Sequence, residues 1–321
     1  GDIDLEDLIR EETMVVSISS NGYVKRTPVS AYRRQRRGGK GLKGAKTEEE
    51  DPIEHLFVAS THDYLLFFTN HGKVYWRKVY ELPQLARDSR GRAVVNLLNL
   101  GEDEAIADCR AVRDFDEPDH FLIMATANGL VKKTPLAAYR RPLRSGIIAI
   151  KLREGDELVD VTVVEPGDEV LLATAKGMAI RFPQSNARPM GRNASGVKGI
   201  RLRADDHVVG MVVADPEADL LTVCENGYGK RTPLGPNLPV EPDEEAEVED
   251  GVADSEEASV EPGAELGEAS DSNGDEGEGD DELNSQRSYR TQRRGGQGVR
   301  DIKTTKRNGQ VIGIVRVYDD D

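Results

Sequence analysis

The sequence predicts an all-β, propeller-like fold of about six four-stranded blades. The main observation is a repeat of about fifty residues, in which a turn glycine recurs at intervals of 50, 57, 48 and 50 residues (Gly22, Gly72, Gly129, Gly177 and Gly227). In addition, every copy carries β-branched and aromatic runs instead of the 3.6-residue period of a helix. Repeated units of four short strands at this spacing are typical of propeller blades.

Each repeat opens with a predicted hairpin. An apolar run such as VVSIS or LIMAT leads into the turn, and the returning strand is basic and reaches a proline in four of the five copies. Proline cannot donate to a strand ladder, so it ends the pairing. Three of the turns contain Asn-Gly, which predicts type I′ turns because both central residues of that turn need positive φ.

Two further strands are predicted in each repeat. A third strand is expected in AVVNLLNL, GIIAIKL and GVKGIRL, and a fourth in PIEHLFVAS, AIADCRAV, LVDVTVV and HVVGMVV. The sequence ends in GQVIGIVRVYDDD, which matches the strand that leads into each following hairpin. Five hairpins are visible, and the sixth blade is therefore predicted to be incomplete.

Charge is distributed unevenly along the chain. The net charge is −16, but residues 241–286 hold 20 Asp and Glu and no Lys or Arg, which leaves 43 basic and 39 acidic residues elsewhere. Such segregation indicates contact with nucleic acid by the basic part. We expect residues 1–12 to be a linker from a preceding domain and residues 13–321 to form the propeller. Within it, residues 235–286 are predicted to be an acidic disordered insertion, since they lack large apolar residues.

Composition excludes several other classes of protein. Two cysteines cannot make a disulfide framework or a multi-cysteine zinc site, and a reducing cytoplasm fits them. No apolar run approaches the roughly 20 residues of a membrane span, and no signal peptide is visible, so no membrane partner is predicted. The five histidines lack metal-ligand spacing, and no carboxylate recurs at equivalent repeat positions. Neither a catalytic residue nor a metal site is predicted.

A basic, glycine-rich run is the most informative motif. QRRGGKG spans residues 35–41, and QRRGGQG recurs at residues 292–298 in the fifth repeat. Glycines bring backbone N–H groups close to a ligand, and arginine presents a planar fork that matches phosphate oxygens. These two runs, called here the first box and the second box, predict phosphate binding at matching places in two repeats.

The candidate DNA-binding residues are the boxes and the basic positions that accompany them. They comprise Gln35, Arg36, Arg37, Gly38, Gly39, Lys40 and Gly41 of the first box, Lys25, Arg26, Arg33 and Arg34 before it, Lys132, Lys133, Arg140 and Arg141 in the third repeat, Arg192 in the fourth, and Lys230, Arg231, Arg293 and Arg294 in the fifth. Further basic residues at corresponding places include Arg144, Lys151, Arg188, Lys198, Arg201, Arg290 and Arg300. Equivalent repeat positions should fall on one rim, where a duplex would be bound without regard to sequence.

The first box, the flanking NGYVKRTP and the fifty-residue repeats resemble the C-terminal DNA-wrapping domain of the DNA gyrase A subunit family. The resemblance covers the whole chain except the acidic segment. It implies a six-bladed β-pinwheel, in which neighbouring blades exchange strands and whose outer rim bends duplex DNA so that negative supercoils can be introduced. It also implies a monomeric domain without a cofactor. ATP and magnesium are implied only for the full A2B2 enzyme. That enzyme contains two A subunits, of which this chain would be a part, and two B subunits.

Two other functions are alternatives to this one. The corresponding domain of topoisomerase IV has similar blades, but its box is lost or degraded, so the intact first box favours gyrase. A propeller scaffold for protein partners would show no charge periodicity and no salt-dependent DNA binding. We also expect the acidic segment to compete with DNA for the basic rim, with an inert spacer as the alternative.

Overall fold

The computed structural model describes residues 4–32, 51–141, 143–236 and 289–319. The first box, with Arg33 and Arg34, and nearly all of the predicted acidic insertion lie outside the described residues. The strands are numbered in chain order. Five antiparallel hairpins are present, as predicted: β1 (Thr13–Ser19) with β2 (Tyr23–Pro28), β4 (Tyr64–Thr69) with β5 (Lys73–Lys78), β8 (Phe121–Thr126) with β9 (Leu130–Pro135), β12 (Glu169–Thr174) with β13 (Met178–Pro183), and β16 (Asp219–Cys224) with β17 (Gly229–Pro233).

A long strand lies beside the first strand of each hairpin and a short strand beside the second. The long strands are β3 (Ile53–Ser60), β7 (Ile106–Val112), β11 (Leu158–Val164), β15 (Val208–Val213) and β19 (Val311–Val317). The short strands are β6 (Arg92–Ala93), β10 (Ile147–Ile148), β14 (Val197–Lys198) and β18 (Val299–Arg300). Four blades therefore have four strands, and the fifth has three among the described residues.

Neighbouring blades exchange strands. β6 follows the second hairpin in the chain but pairs with β2 of the first blade, where Val24 faces Arg92. In the same way β10, β14 and β18 complete the blade of the repeat that precedes them. The predicted all-β pinwheel is confirmed, although the third strand of each repeat is only two residues long, much shorter than predicted. In the second repeat a 3-10 helix, Val94–Asn96, follows it immediately.

The hairpin turns differ from the prediction. In each hairpin the N–H of the turn glycine donates to the carbonyl of the last residue of the first strand, as Gly22 does to Ser19 at 2.9 Å. Gly22 has positive φ, whereas Asn21 does not. The loops thus hold three residues, with a type I turn followed by a left-handed glycine. At Gly177 a Cβ would lie 2.0 Å from the carbonyl oxygen of Ile302, so a larger residue does not fit there.

The core lies between blades. Each apolar cluster joins the facing sides of two neighbouring sheets, as where Met14, Val16 and Ile18 of the first blade pack with Leu65 and Phe67 of the second. Three similar clusters follow round to the fifth blade. The long strands of all five blades line a central cavity of about 880 Å³. This arrangement makes the long strands inner and the short strands outer.

Two shorter segments complete the description. Residues 4–12, predicted to be a linker, contact the start of the second hairpin, where the Thr61 hydroxyl donates to the Arg10 carbonyl at 2.9 Å. The remaining 3-10 helices are Leu5–Leu8, Val29–Ala31, Val79–Glu81, Leu136–Tyr139 and Gln184–Asn186. None of the helices in the described part of the chain is long and apolar enough to cross a membrane.

Candidate nucleic-acid interface

Loops of similar construction run along the outer edge of the blades. They precede the short strands and span residues 85–91, 140–146, 190–196 and 292–298; they are called here the outer loops. Three of them begin with an N–H that donates to the second hairpin strand of the preceding blade: Leu85 to Arg26 at 3.1 Å, Met190 to Lys133 at 2.7 Å, and Gln292 to Arg181 at 2.7 Å. Each outer loop thus belongs to one repeat and covers the blade before it.

Every outer loop ends in a glycine with positive φ (Gly91, Gly146, Gly196 and Gly298). At Gly298 a Cβ would lie 2.4 Å from the carbonyl oxygen of Ala179, and at Gly196 it would lie 2.4 Å from that of Val131. Only glycine allows both this backbone conformation and this close approach. The final glycine of the second box is therefore a structural requirement of the repeat, separate from any role in binding.

The second box joins two blades. The N–H of Gly295 donates to the carbonyl of Gly199 at 2.8 Å, and the N–H of Arg201 donates to the carbonyl of Gly296 at 2.8 Å. Arg294 reinforces this bridge, since its Nη1 donates to the Lys198 carbonyl at 2.7 Å and its Nε to the Asn186 carbonyl at 2.9 Å. Arg293 beside it is exposed. The second box thus exposes Arg293 to solvent, while Arg294 links the third and fourth blades.

The other predicted outer-loop arginines also lie at the surface. Arg140 and Arg141 are exposed, and Arg140 forms an exposed ion pair with Asp116 at 2.9 Å. Arg192 is half-buried, and its Nη1 donates to the Ile148 carbonyl at 3.2 Å. These three side chains lie at the surface or near it, and their contact with phosphates stays a prediction.

Lys25 and Lys132 occupy a different environment. Both are buried, with exposed fractions of 1% and 0%. The ammonium of Lys25 donates to the carbonyls of Ala86 at 3.2 Å, of Ser89 at 2.7 Å and of Arg87, all in the outer loop of the next repeat. Lys132 makes the equivalent contacts with Gly191 at 3.3 Å and Arg192 at 2.7 Å, and also with Ala149.

The ammonium groups of Lys25 and Lys132 are turned to backbone carbonyls in this structure, and their contact with DNA phosphates stays a prediction. Each ammonium adds a charged donor to carbonyls of the outer loop, of which Ala86 also accepts from the N–H of Ser89 at 3.0 Å and Gly191 from the N–H of Ala194 at 3.2 Å. Burial lowers the pKa of both side chains, and for Lys132, with a further contribution from Arg192, the pKa falls to about 7. Their function is to fix the outer loop that follows, so they act on the surface indirectly.

The next position along the same strands is also internal. Lys133 is 5% exposed, and its ammonium donates to the backbone carbonyl of Gln184 at 3.1 Å and to its side-chain oxygen at 2.7 Å, so its phosphate contact likewise stays a prediction. Arg26 is half-buried, with Nε donating to the Leu82 carbonyl at 2.9 Å. At the equivalent place Arg181 is fully buried against Glu169 at 2.5 Å.

The fifth blade presents its basic pair on β17, which is an edge strand of its sheet among the described residues. The Lys230 ammonium donates to the Asp301 carbonyl at 2.6 Å. Arg231 is exposed and lies between two carboxylates, Asp219 at 2.5 Å and Asp319 at 2.8 Å. Both side chains can be reached from solvent, but each already has an acidic partner, so their contribution to phosphate binding remains a prediction.

Comparisons with known proteins identify the family. Residues 13–60, 63–113, 120–165, 168–215, 218–235 and 287–317 match the family described as "DNA gyrase C-terminal domain, beta-propeller". The chain belongs to this family. The match passes over residues 236–286, which include most of the predicted acidic insertion.

Relatives of this gyrase-type domain carry the name of the A subunit of DNA gyrase. The protein from Streptomyces coelicolor is 50% identical over 202 residues, which are 61% of this chain and 24% of the relative. That from Haemophilus influenzae is 49% identical over 195 residues, 61% of this chain and 22% of the relative. The matched part thus spans about a quarter of the length of these relatives.

Two solved structures share the fold. "Structure of DNA gyrase A C-terminal domain" has a TM-score of 0.66 and 24% identity, covering 96% of this chain and 84% of that one. "Crystal structure of the C-terminal domain of DNA topoisomerase IV" has a TM-score of 0.65 and 24% identity, covering 97% and 79%. At this identity the likeness shows the fold alone.

Some surface cations of the gyrase-type domain were missed by the sequence interpretation. Arg92 lies exposed on β6, and Lys303, Lys306 and Arg307 lie exposed between β18 and β19. Arg92 was detectable from its position directly after the glycine that ends an outer loop. Among the described residues, no group of three or more His, Cys, Asp or Glu side chains is arranged to hold a metal ion.

Proposed function

We propose that this chain binds duplex DNA through its phosphates and bends it along the outer loops, as the DNA-wrapping part of a gyrase A subunit. The observation that carries the proposal is the recurrence of exposed arginines and lysines on successive outer loops and short strands. Residues 131–153 and 170–204, which include the outer loops of the second and third blades, contain no Asp or Glu. A surface of this kind attracts a polyanion along its whole length.

Binding is proposed to be insensitive to sequence. The exposed side chains are arginines and lysines on loops and two-residue strands, without a helix or ribbon among the described elements that is shaped to enter a groove. Phosphate contacts fix the path of a duplex but do not distinguish bases. Because the blades are arranged around an axis, a duplex that follows successive outer loops must curve.

The first box is proposed to have a special role. Arg36 corresponds to the exposed Arg293 of the second box, and we infer that Arg36, together with Arg37 and Lys40, contacts phosphates where the bent DNA enters or leaves the rim. By this proposal the first box governs wrapping more than affinity. Arg140, Arg141, Arg192 and Arg293 then supply the phosphate contacts along the path, while Arg294 supports the second box.

The whole enzyme is proposed from the names of the relatives. As part of a type II topoisomerase, the chain would act with the gyrase B protein and with a second copy of its own parent protein. Together they would form an A2B2 enzyme that uses ATP and magnesium to introduce negative supercoils. No catalytic residue is assigned to this chain. The domain is expected to be monomeric when isolated and to work in the cytoplasm.

One alternative function shares the fold. The solved topoisomerase IV domain is as similar in structure as the gyrase domain. The family match and the intact QRRGGKG favour gyrase. A scaffold for protein partners is disfavoured by the outer-loop arginines, but it makes a distinct prediction, namely the absence of salt-dependent DNA binding.

A topology assay tests the proposal. A closed circular DNA is relaxed by a type I topoisomerase in the presence of the chain and then deproteinised, so that any wrap is preserved as a change in linking number. A gyrase-type wrapping domain gives a shift that grows with protein concentration. Binding without a shift supports the topoisomerase IV alternative, and absence of binding supports the scaffold.

A further inference from the structure

We propose that the segment between β18 and β19 forms a second DNA-contacting surface, away from the outer loops, at the tip of the fifth hairpin. Lys303, Lys306 and Arg307 are exposed there, and the segment is called here the basic turn (residues 303–309). The inference rests on the proposed DNA binding and extends the path of the duplex from the outer edge onto one face of the molecule.

The basic turn takes the place that an acidic residue holds in three of the other repeats. In the third and fourth repeats Asp156 accepts from the N–H of Asn128 at 2.9 Å and Asp206 from the N–H of Lys176 at 2.9 Å, and Asp51 does the same for Asn21 in the first. In the fifth repeat the N–H of Asn226 donates instead to the backbone carbonyl of Asn308 at 3.1 Å. Residues 302–310 contain no Asp or Glu. The carboxylate at this tip comes from the hairpin itself: Glu225 is exposed and accepts from the N–H of Gln310 at 2.9 Å, beside the three cations of the basic turn.

The basic turn is held in one conformation by its own hydrogen bonds. The N–H of Thr305 donates to the side-chain oxygen of Asn308 at 2.6 Å, and the Asn308 amide donates to the Lys303 carbonyl at 2.9 Å. The Asn226 amide ties the turn to the hairpin through the Arg307 carbonyl at 3.0 Å. A backbone fixed in this way loses little conformational entropy when a ligand binds.

Arg307 is oriented by an aromatic side chain. Its Nε donates to the hydroxyl of Tyr228 at 2.7 Å, and its guanidinium carbon lies 5.2 Å from the centre of the tyrosine ring. Tyr228 is itself 42% exposed. A guanidinium bonded at Nε keeps its two Nη groups for a bidentate contact with a phosphate.

The basic turn continues the charge of the outer edge. Arg300 on β18 is exposed at the edge of the fourth blade, and Lys303 follows three residues later. Asp301, between them, is buried and bound by Thr222 at 2.6 Å, so it adds no surface acid. A continuous line of exposed cations fits a DNA backbone better than a compact acidic peptide, because a duplex carries one charge per roughly 1.7 Å of its axis.

A charge-removal variant tests the inference. Lys303→Gln, Lys306→Gln and Arg307→Gln are combined, and the affinity for a duplex of roughly 150 base pairs, about one persistence length, is measured across salt concentrations. Three lost phosphate contacts lower the slope of log K against log salt by about 2.7. The matched control is Lys73→Gln, an exposed cation at the tip of the second blade beside Glu104, which should leave the slope unchanged.

A proximity measurement gives an independent readout. Cys109 and Cys224 are both buried, so Lys306→Cys provides a single reactive thiol for a DNA-cleaving metal chelate. Cleavage of bound DNA from this position, well above that from a chelate at Lys73→Cys, is expected. If the wild type binds DNA steeply but the triple variant keeps the same slope and Lys306→Cys leaves the DNA uncut, this inference is overturned while the proposed function stands. If the wild type shows no salt-dependent binding, the proposed function itself fails.

Discussion

The ammonium group of Lys25 lies 2.7 Å from the carbonyl oxygen of Ser89, 64 residues further along the chain. The lysine belongs to the first hairpin and the serine to the outer loop of the second repeat. A buried cation of one repeat therefore determines the shape of the surface loop of the next, and Lys132 does the same for the loop that contains Arg192. Two kinds of cation can therefore be distinguished. Lys25 and Lys132 are buried and hold the outer loops, whereas side chains such as Arg293 are exposed on them.

Removing the supporting charge should destabilise the protein. Lys25→Met removes the charged donor from the carbonyls of Ala86, Arg87 and Ser89, although Ala86 still accepts from the N–H of Ser89, and we expect a loss of about 3 kcal/mol in the free energy of unfolding. Urea unfolding followed by circular dichroism measures it. Arg92→Gln, on the exposed part of β6, is the control and should change stability by less than about 0.5 kcal/mol. Equal stabilities of the two variants would contradict the supporting role of Lys25.

The stability contributed by Lys132 should depend on pH. Its pKa is about 7 in the folded protein and 10.5 in its ordinary state. Between these values the unfolded chain holds a proton that the folded chain lacks, so the free energy of unfolding rises with pH; below about pH 7 both states are protonated and the dependence disappears. The stability of the wild type relative to Lys132→Met should therefore increase from about pH 6 to about pH 9.5. A constant difference would show that the folded-state pKa is not lowered.

The glycine that ends the second box should resist substitution. Gly298→Ala forces a Cβ to within 2.4 Å of the Ala179 carbonyl oxygen at a φ of +77°. Gly155 has a φ of +73° but nothing within 4 Å of a Cβ, so Gly155→Ala measures the conformational cost alone. We expect about 1 kcal/mol for Gly155→Ala and at least about 2 kcal/mol more for Gly298→Ala, since backbone must move. Equal losses of unfolding free energy in the two variants would show that the outer loop can move to accommodate the Cβ without a measurable cost.

The two arginines of the second box should give different phenotypes. Arg293→Gln should weaken DNA binding equally for all sequences, with a salt slope smaller by about 0.9 and an unchanged thermal midpoint. Arg294→Gln should also lower the thermal midpoint, because it breaks the contacts with Asn186 and Lys198. Binding titrations and thermal melts on the same preparations provide the comparison. A lower thermal midpoint for Arg293→Gln would show that Arg293 stabilises the fold instead of only contacting DNA.

The first box should control wrapping. Changing Arg36, Arg37 and Lys40 together to Ala should abolish the linking-number shift in the topology assay, while much of the affinity for linear DNA is retained through the other outer loops. The same changes in the intact enzyme should abolish negative supercoiling but not relaxation. Supercoiling that survives them would exclude the first box as the site that fixes the DNA path.

The sequence was sufficient for the parts of the structure that depend on local pattern. The turn glycines, the five hairpins and the inner strands follow from strand periodicity and from residues such as Pro28 that end pairing. The short strands did not, because β6 is fixed by pairing with the preceding blade rather than by its own two residues. The roles of Lys25 and Arg293 were also indistinguishable, since both stand in basic, glycine-flanked stretches. Lys25 is internal because carbonyls of a loop about 60 residues away surround its ammonium group, and local sequence does not show this contact.

The exchange of outer strands has a consequence for how the protein matures and evolves. Because β6, β10, β14 and β18 each complete the sheet of the previous repeat, no blade is whole until the following fifty residues have been synthesised. During translation the blades should therefore be completed one after another from the N-terminus. At each stage the most recently made hairpin has an unpaired edge strand. For the same reason a repeat is not an interchangeable module: deleting or duplicating one changes the partner of its predecessor, and outer strands must remain compatible with the repeat before them rather than with their own.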